Sequence, residues 1–239
     1  MRYSKQHQTQ LPMKHASFFL CALMGLTCMA CQRDLDLDAY LAYQVSVTEQ
    51  QITSSGFPAG TITVDSSLTY VGSDSFILYD IARCEIHLFV EADAEGAVER
   101  LYWFQYEGYL PSLFPRHYDY SGDPYQATIG GRAFSESVNY YNIVEDRREW
   151  RTDSDIMRVF NLLDQAGYTM DTDVMRTRLV HLDENKSQEL MIMYLEAMDG
   201  QDLTIAAFGE AGKESPKWQE VSAALRARAK AGIELQFTH

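Results

Sequence analysis

The chain has 239 residues, with 34 Asp and Glu against 20 Lys and Arg and a net charge of −14. So acidic a surface repels phosphate, and the sequence contains no basic stripe. Nucleic-acid binding is therefore excluded, as is docking of the protein surface onto anionic lipid headgroups.

The first segment with a pattern is Ala16 to Ala30, ASFFLCALMGLTCMA, an apolar run that follows Lys14 and His15 and ends in a small residue. This is signal-peptide anatomy. A membrane-crossing helix needs about 20 apolar residues, and Gln32, Arg33 and Asp34 interrupt the run first, so an uncleaved anchor is the second reading. The run closes on Cys28-Met29-Ala30-Cys31, which resembles the lipobox of bacterial lipoproteins, where a small residue precedes the cysteine that receives diacylglycerol. The resemblance implies cleavage before Cys31 and a membrane anchor made of lipid on Cys31. Cys28 stands where that family usually has Leu, which leaves ordinary secretion as the alternative. The family's sorting pattern implies, from Gln32, the outer membrane facing the periplasm rather than the inner membrane. Met13-Lys14-His15 would also serve as a start.

Cleavage would remove Arg2, Lys5 and Lys14 and no acid, leaving 17 basic against 34 acidic residues, net −17. It would also remove Cys21 and Cys28. With Cys31 acylated, Cys84 is then the single thiol, no internal disulfide forms, and stability must come from an ordinary apolar core.

Residues 31–55 are acidic and then polar, and are expected to be a tether ahead of one globular domain spanning 56–239. Asp34, Asp36 and Asp38 are spaced like the opening of a calcium loop, but Ala39 and Val45 replace the glycine and glutamate such a loop needs, so a solvated tether is expected there.

From Gly56 onward the apolar period is mostly two. Thr61 to Val71 and Ser75 to Ala92 are predicted strands, the second with Cys84, Ile86, Leu88 and Val90 on one face and Glu85, His87 and Phe89 on the other. Cys84 is expected to be a buried, inert thiol. Val98 to Glu107 and Val138 to Asp146 are further strands. Thr152 and Asp155 suit a capping box for a helix carrying Ile156, Val159, Phe160 and Leu163, stopped at Gly167. Val174 to Leu182 and Glu189 to Ala197 form a hairpin around Asp183-Glu184-Asn185-Lys186. In the last helix Ser215 caps, Pro216 occupies the first turn, Trp218, Val221 and Leu225 make the stripe, and Arg226, Arg228 and Lys230 favour the negative end before Gly232. Neighbouring strands broken by two helices, without βαβ alternation, predict an α+β domain: a largely antiparallel sheet with two main helices packed against it.

Motifs for catalysis are missing from the sequence. Residues Ala207 to Glu214 have the Gly-Lys pair of a phosphate loop but lack its first glycine and the following Ser or Thr. No Gly-x-Ser-x-Gly elbow and no His-Glu-x-x-His helix occurs, and His87, His117, His181 and His239 are not at metal-ligand spacing. No cofactor or metal is expected. Glu85 and His87 share a strand face, an arrangement a general acid/base pair could use, yet two polar residues on a solvated sheet face need no such role.

One segment departs from the rest. Twelve of the 29 aromatic residues fall between Tyr102 and Tyr141, and within it Gly108 to Arg132 has poor periodicity, three prolines and Gly130-Gly131. Loops this long are uncommon and often functional, and tyrosines pair a flat apolar face with a hydroxyl. Tyr109, Arg116, His117, Tyr118, Tyr120, Tyr125 and Arg132 are accordingly the expected ligand contacts; a loop packing its own rings over the sheet end is the plain alternative. The sequence thus points to a non-enzymatic envelope lipoprotein binding a partner protein or small envelope ligand. A hydrolase of cell-wall or glycan material, with Glu107, His117, Asp119 or Asp123 as acid/base groups, is the alternative.

Overall fold

A computed structural model describes residues 45–113, 115–199 and 203–238 of the chain. The expected signal segment, Cys31 and the first part of the expected tether lie outside the described residues. The remainder of that tether is not a linker: Val45–Thr48 (β1) and Gln51–Ser54 (β2) pair as a hairpin, with Ile52 and Ser54 buried. Gly60–Val64 (β3) continues this sheet, and the C-terminal strand Ile233–Phe237 (β11), for which the sequence offered no prediction, closes it in the order β1-β2-β3-β11.

The larger sheet has seven strands: Thr69–Leu78 (β4), Ala82–Ala92 (β5), Val98–Tyr109 (β6), Tyr125–Ile129 (β7), Arg132–Asn142 (β8), Asp173–Leu182 (β9) and Gln188–Ala197 (β10). Their spatial order is β4-β5-β6-β10-β9-β8-β7, every pairing antiparallel. The coarse expectation of an α+β fold built on antiparallel sheet therefore holds.

Three boundaries differ from the sequence pattern. The predicted strand 61–71 is cut by a turn in which Asp65 accepts from the Leu68 and Ser67 amides, and the chain there passes from the small sheet to the large one. The predicted strand 75–92 is a hairpin. Its turn is made by Tyr79 and Asp80, both with φ near +50°, so no glycine announces it. The predicted loop 108–132 contains β7, joined to β8 through Gly130-Gly131 with φ of 57° and 76°. At β8 the chain leaves the sheet early, because Asn142 caps a short helix, Ile143–Asp146 (α1).

The two longer helices are Asp155–Gln165 (α2) and Pro216–Ala231 (α3). Ser154, not Thr152, caps α2 by accepting from Met157 N, and Gly167 ends the segment at φ +83°. Ser215 caps α3 by accepting from Trp218 N, 3.1 Å away.

Both faces of the seven-stranded sheet are covered. On one, Phe89, Phe104 and Ile192 share a core with Ile62 and Leu235 of the small sheet and Trp218 and Leu225 of α3. On the other, Cys84, Leu88, Trp103 and Met193 share a core with Val159, Phe160 and Leu163 of α2. This overturns the expectation of a solvated face at Glu85 and His87: they are 7% and 3% exposed, and their side chains contact at 2.8 Å, with the Tyr70 hydroxyl on His87 Nδ1.

Candidate functional site

The seven expected contact residues divide into three places. Tyr109, Tyr118 and Tyr120 form a stack, with centroids 4.3 Å and 6.4 Å apart, and Arg116 lies 6.0 Å above the Tyr109 ring. His117, exposed, donates from Nδ1 to Asn185 O at 2.8 Å. Tyr125 lies on the opposite face of the sheet: it opposes Glu136 on β8 and carries the Arg226 guanidinium of α3 over its ring at 3.8 Å. Arg132, at the start of β8, borders a separate hollow. A single contact surface from all seven residues is therefore ruled out by strand alternation, because β7 turns Tyr125 to the face away from Tyr118.

The tyrosine stack roofs a pair of carboxyls. Glu107 on β6 and Glu189 on β10 are directly opposed across adjacent strands and are 9% and 2% exposed. The Tyr118 hydroxyl donates to Glu107 Oε1 and the Tyr120 hydroxyl to Glu189 Oε2, each at 2.8 Å. The other Glu107 oxygen accepts from Gln105 Nε2 at 2.6 Å and from the Cys84 thiol at 3.2 Å. Arg178 pairs with Asp123 at 2.8 Å and covers the Tyr120 ring. Beside the pair, Trp103 Nε1 and Gln105 Oε1 have no hydrogen-bond partner among the described residues.

Burial decides the protonation of these groups. It raises the Glu107 carboxyl, and it raises Glu189 to about 8, with repulsion from Glu107 adding to the effect. Two facing carboxyls in a low-dielectric interior cannot both ionise cheaply, so at neutral pH the pair holds a proton. Burial, then the charge of Glu107, holds the Cys84 thiol far above the ordinary range, which makes it inert as a nucleophile. Asp155 of α2 is raised by burial as well.

The hollow at Arg132 measures about 420 Å³ and is lined by Phe57, His181, Asp183, Glu184, Asn185 and Phe237 among others. The His181 ring stacks on Phe57 at 5.4 Å and contacts Phe237 at 5.6 Å. Its Nδ1 donates to Ala133 O at 3.0 Å, which leaves Nε2 as an acceptor, and burial lowers its proton affinity so that the ring is neutral. Arg132 has no ion pair among the described residues. Sequence reasoning singled out Arg132 but missed Phe57 and Phe237, which lie 180 positions apart and meet only because β3 and β11 pair.

A larger cleft of about 770 Å³ opens at the other end of the large sheet, between the β5–β6 turn and the start of β9. Asp93, Glu99 and Asp171 border it; its two arginines are engaged, Arg100 with Glu91 and Arg228 with Glu196 through two bonds of 2.7 and 2.6 Å. Among the described residues no group of three His, Cys, Asp or Glu is placed to hold a metal, and no helix is long and apolar enough to cross a membrane. No family model, no curated protein and no solved structure matches the chain.

Proposed function

We propose that this chain is an envelope lipoprotein, anchored through lipid on Cys31 at the outer membrane on the periplasmic side, that binds a partner protein or small envelope ligand without catalysis. Its scaffold is the seven-stranded sheet with α2 and α3 packed against opposite faces, which leaves the sheet ends for recognition. The observation that carries the reading is the hollow around Arg132: a guanidinium without an ion pair among the described residues, in a chain of net charge −14, beside a neutral imidazole and two phenyl faces. The lining also carries Asp183 and Glu184, but Asp183 accepts from the Ser187 and Gln188 amides, and the volume is within the usual range of a ligand site. Such a lining suits an acidic group carried on an apolar body.

The test is capture from the native envelope by the full-length protein, compared with Arg132→Ala and Phe57→Ala. Capture should fall at least tenfold in both, with Arg132→Ala melting as wild type does, since its side chain is exposed. Undiminished capture by both variants would refute the site. The anchor is tested separately: Cys31→Ala should move the protein from the membrane to the soluble fraction, and unchanged fractionation would sink it.

Hydrolysis is a second reading because Glu107 and Glu189 face each other and burial raises both carboxyls, as in a pair that shares a proton. It ranks lower because Tyr118, Tyr120, Gln105 and Cys84 already occupy those carboxyls and almost no surface of either is open. Of the other sequence candidates, Asp119 accepts from Ser121 N, Asp123 is paired with Arg178, and His117 is tied to Asn185.

A further inference from the structure

The two glutamates opposed across β6 and β10 have a consequence independent of any ligand at Arg132. Residues 115–124 lie over them, and besides the stacking of Tyr118 on Tyr109 and of Arg178 on Tyr120 the described residues show these bonds from the segment to the body. Two go to the carboxyls, from Tyr118 and Tyr120. Two go to the β9–β10 turn, from Tyr118 N to Lys186 O and from His117 Nδ1 to Asn185 O, each 2.8 Å. One is the ion pair of Asp123 with Arg178.

We propose that residues 115–124 form a lid latched by Tyr118 and Tyr120 onto the Glu107–Glu189 pair while that pair holds a proton, and released when the proton passes to solvent.

The argument is electrostatic and geometric. Side chains directly opposed on antiparallel strands have Cβ atoms about 4.5–5.5 Å apart. With one proton between them, the pair carries a single charge spread over oxygens that accept from Tyr118, Tyr120, Gln105 and Cys84. Once the proton leaves, two negative charges face each other where solvent scarcely reaches.

The groups packed around them compensate the charge only in part. On β9, Arg178 lowers Glu189 but also holds the Asp123 carboxylate, and the half-buried Arg176, its charge disfavoured by desolvation, has its guanidinium over the Tyr141 ring. On α2, Asp155 adds negative charge that raises both glutamates. On β5, Cys84 can only donate a neutral hydrogen bond. At the lid's base, Tyr109 and Tyr79 are neutral phenols whose own ionisation is opposed by burial, and Arg116 sits over Tyr109 on the outer side of the stack. Water is the remaining source of stabilisation, and it reaches the carboxyls only if the two tyrosines lift.

Cys84 lies under the lid and is fully buried, so its alkylation reports opening. The full-length chain is treated with iodoacetamide from pH 6 to pH 9, the Cys84 peptide is quantified by mass spectrometry, and each rate is divided by that of the chain unfolded in guanidinium at the same pH. Hydrogen exchange of the β9 and β10 amides monitors global unfolding in parallel. Wild-type protection should fall at least tenfold between pH 7 and pH 9, ahead of any loss in β9 and β10. Glu189→Gln should keep its protection flat over the same range. Tyr120→Phe, which keeps the ring and removes the latch hydroxyl, should already be several-fold less protected at pH 6. Protection that stays constant in wild type, a fall that persists in Glu189→Gln, or a fall matched by the β9 and β10 amides would each overturn the lid.

Discussion

Tyr118 carries three roles in one side chain: its ring is stacked on Tyr109, it is 8% exposed, and its hydroxyl satisfies a buried carboxyl. Tyr118→Ala should therefore cost about 3–5 kcal/mol in urea unfolding, the usual loss for a buried aromatic ring. Tyr118→Phe isolates the hydroxyl and should cost about 1–3 kcal/mol, because Glu107 Oε1 loses its donor in a site with little water. Equal losses in the two variants would show that the ring contributes nothing. Gly232 is a second residue whose identity is set by contact. A Cβ there would run into the Tyr102 hydroxyl, which donates to Ala229 O at 2.9 Å, so Gly232→Ala must displace a fully buried ring. Nothing local in the sequence distinguishes this glycine from an ordinary helix stop; its φ is −83°, so packing and not backbone conformation requires it.

Among the elements, α3 is the one whose start and buried face are set by its own sequence. Ser215 and Pro216 satisfy its N-terminus locally and Trp218 and Leu225 select the buried face, whereas the late Arg228 and Lys230 bind Glu196 and Glu136 on the large sheet. Ser215→Ala should destabilise the protein by about 1 kcal/mol in thermal or urea unfolding, through loss of the bond to Trp218 N. No change would mean that α3 is held by packing alone. The β4–β5 hairpin is the opposite case. Tyr79 and Asp80 turn the chain with positive φ, which Asp tolerates and Tyr does not favour, because nine cross-strand pairs between the two strands hold the register. The β7–β8 hairpin could have been found, since Gly-Gly between alternating residues is a turn signal. The crowd of prolines and tyrosines before it made the whole stretch read as loop.

For the whole molecule, covering the large sheet on both faces brings ionisable groups into the interior, and stability inherits their pH dependence. Glu189 is raised from 4.5 to about 8, so the folded state keeps a proton that the unfolded chain has lost. Unfolding then releases that proton, and stability falls as pH rises from about 4.5 to about 8, at most about 1.4 kcal/mol per pH unit for one group. His181 is lowered from 6.5 and acts in the opposite sense, adding stability as pH rises, but its contribution is complete above pH 6.5. The decline should therefore be cleanest between pH 7 and pH 8, as a falling midpoint in urea. In Glu189→Gln the slope over that interval should be lost; an unchanged slope would assign it to other groups.

By itself the sequence determined what depends on neighbours along the chain. The period-two alternation of Cys84, Ile86, Leu88 and Val90 placed the thiol in the core, the capping residues located α3, and the 174–197 hairpin was legible from its two apolar runs and polar turn. The α+β class followed from the order of those elements. The tertiary structure alone decided that the polar segment at 45–54 is sheet, that Glu85 and His87 are interior, and that Tyr118 and Tyr125 face opposite ways. The reason is that burial of a strand's polar face depends on what lies across from it. β11 is 169 residues from β3, and Glu189 is 82 from Glu107, so neither pairing leaves any local trace in the residues it controls.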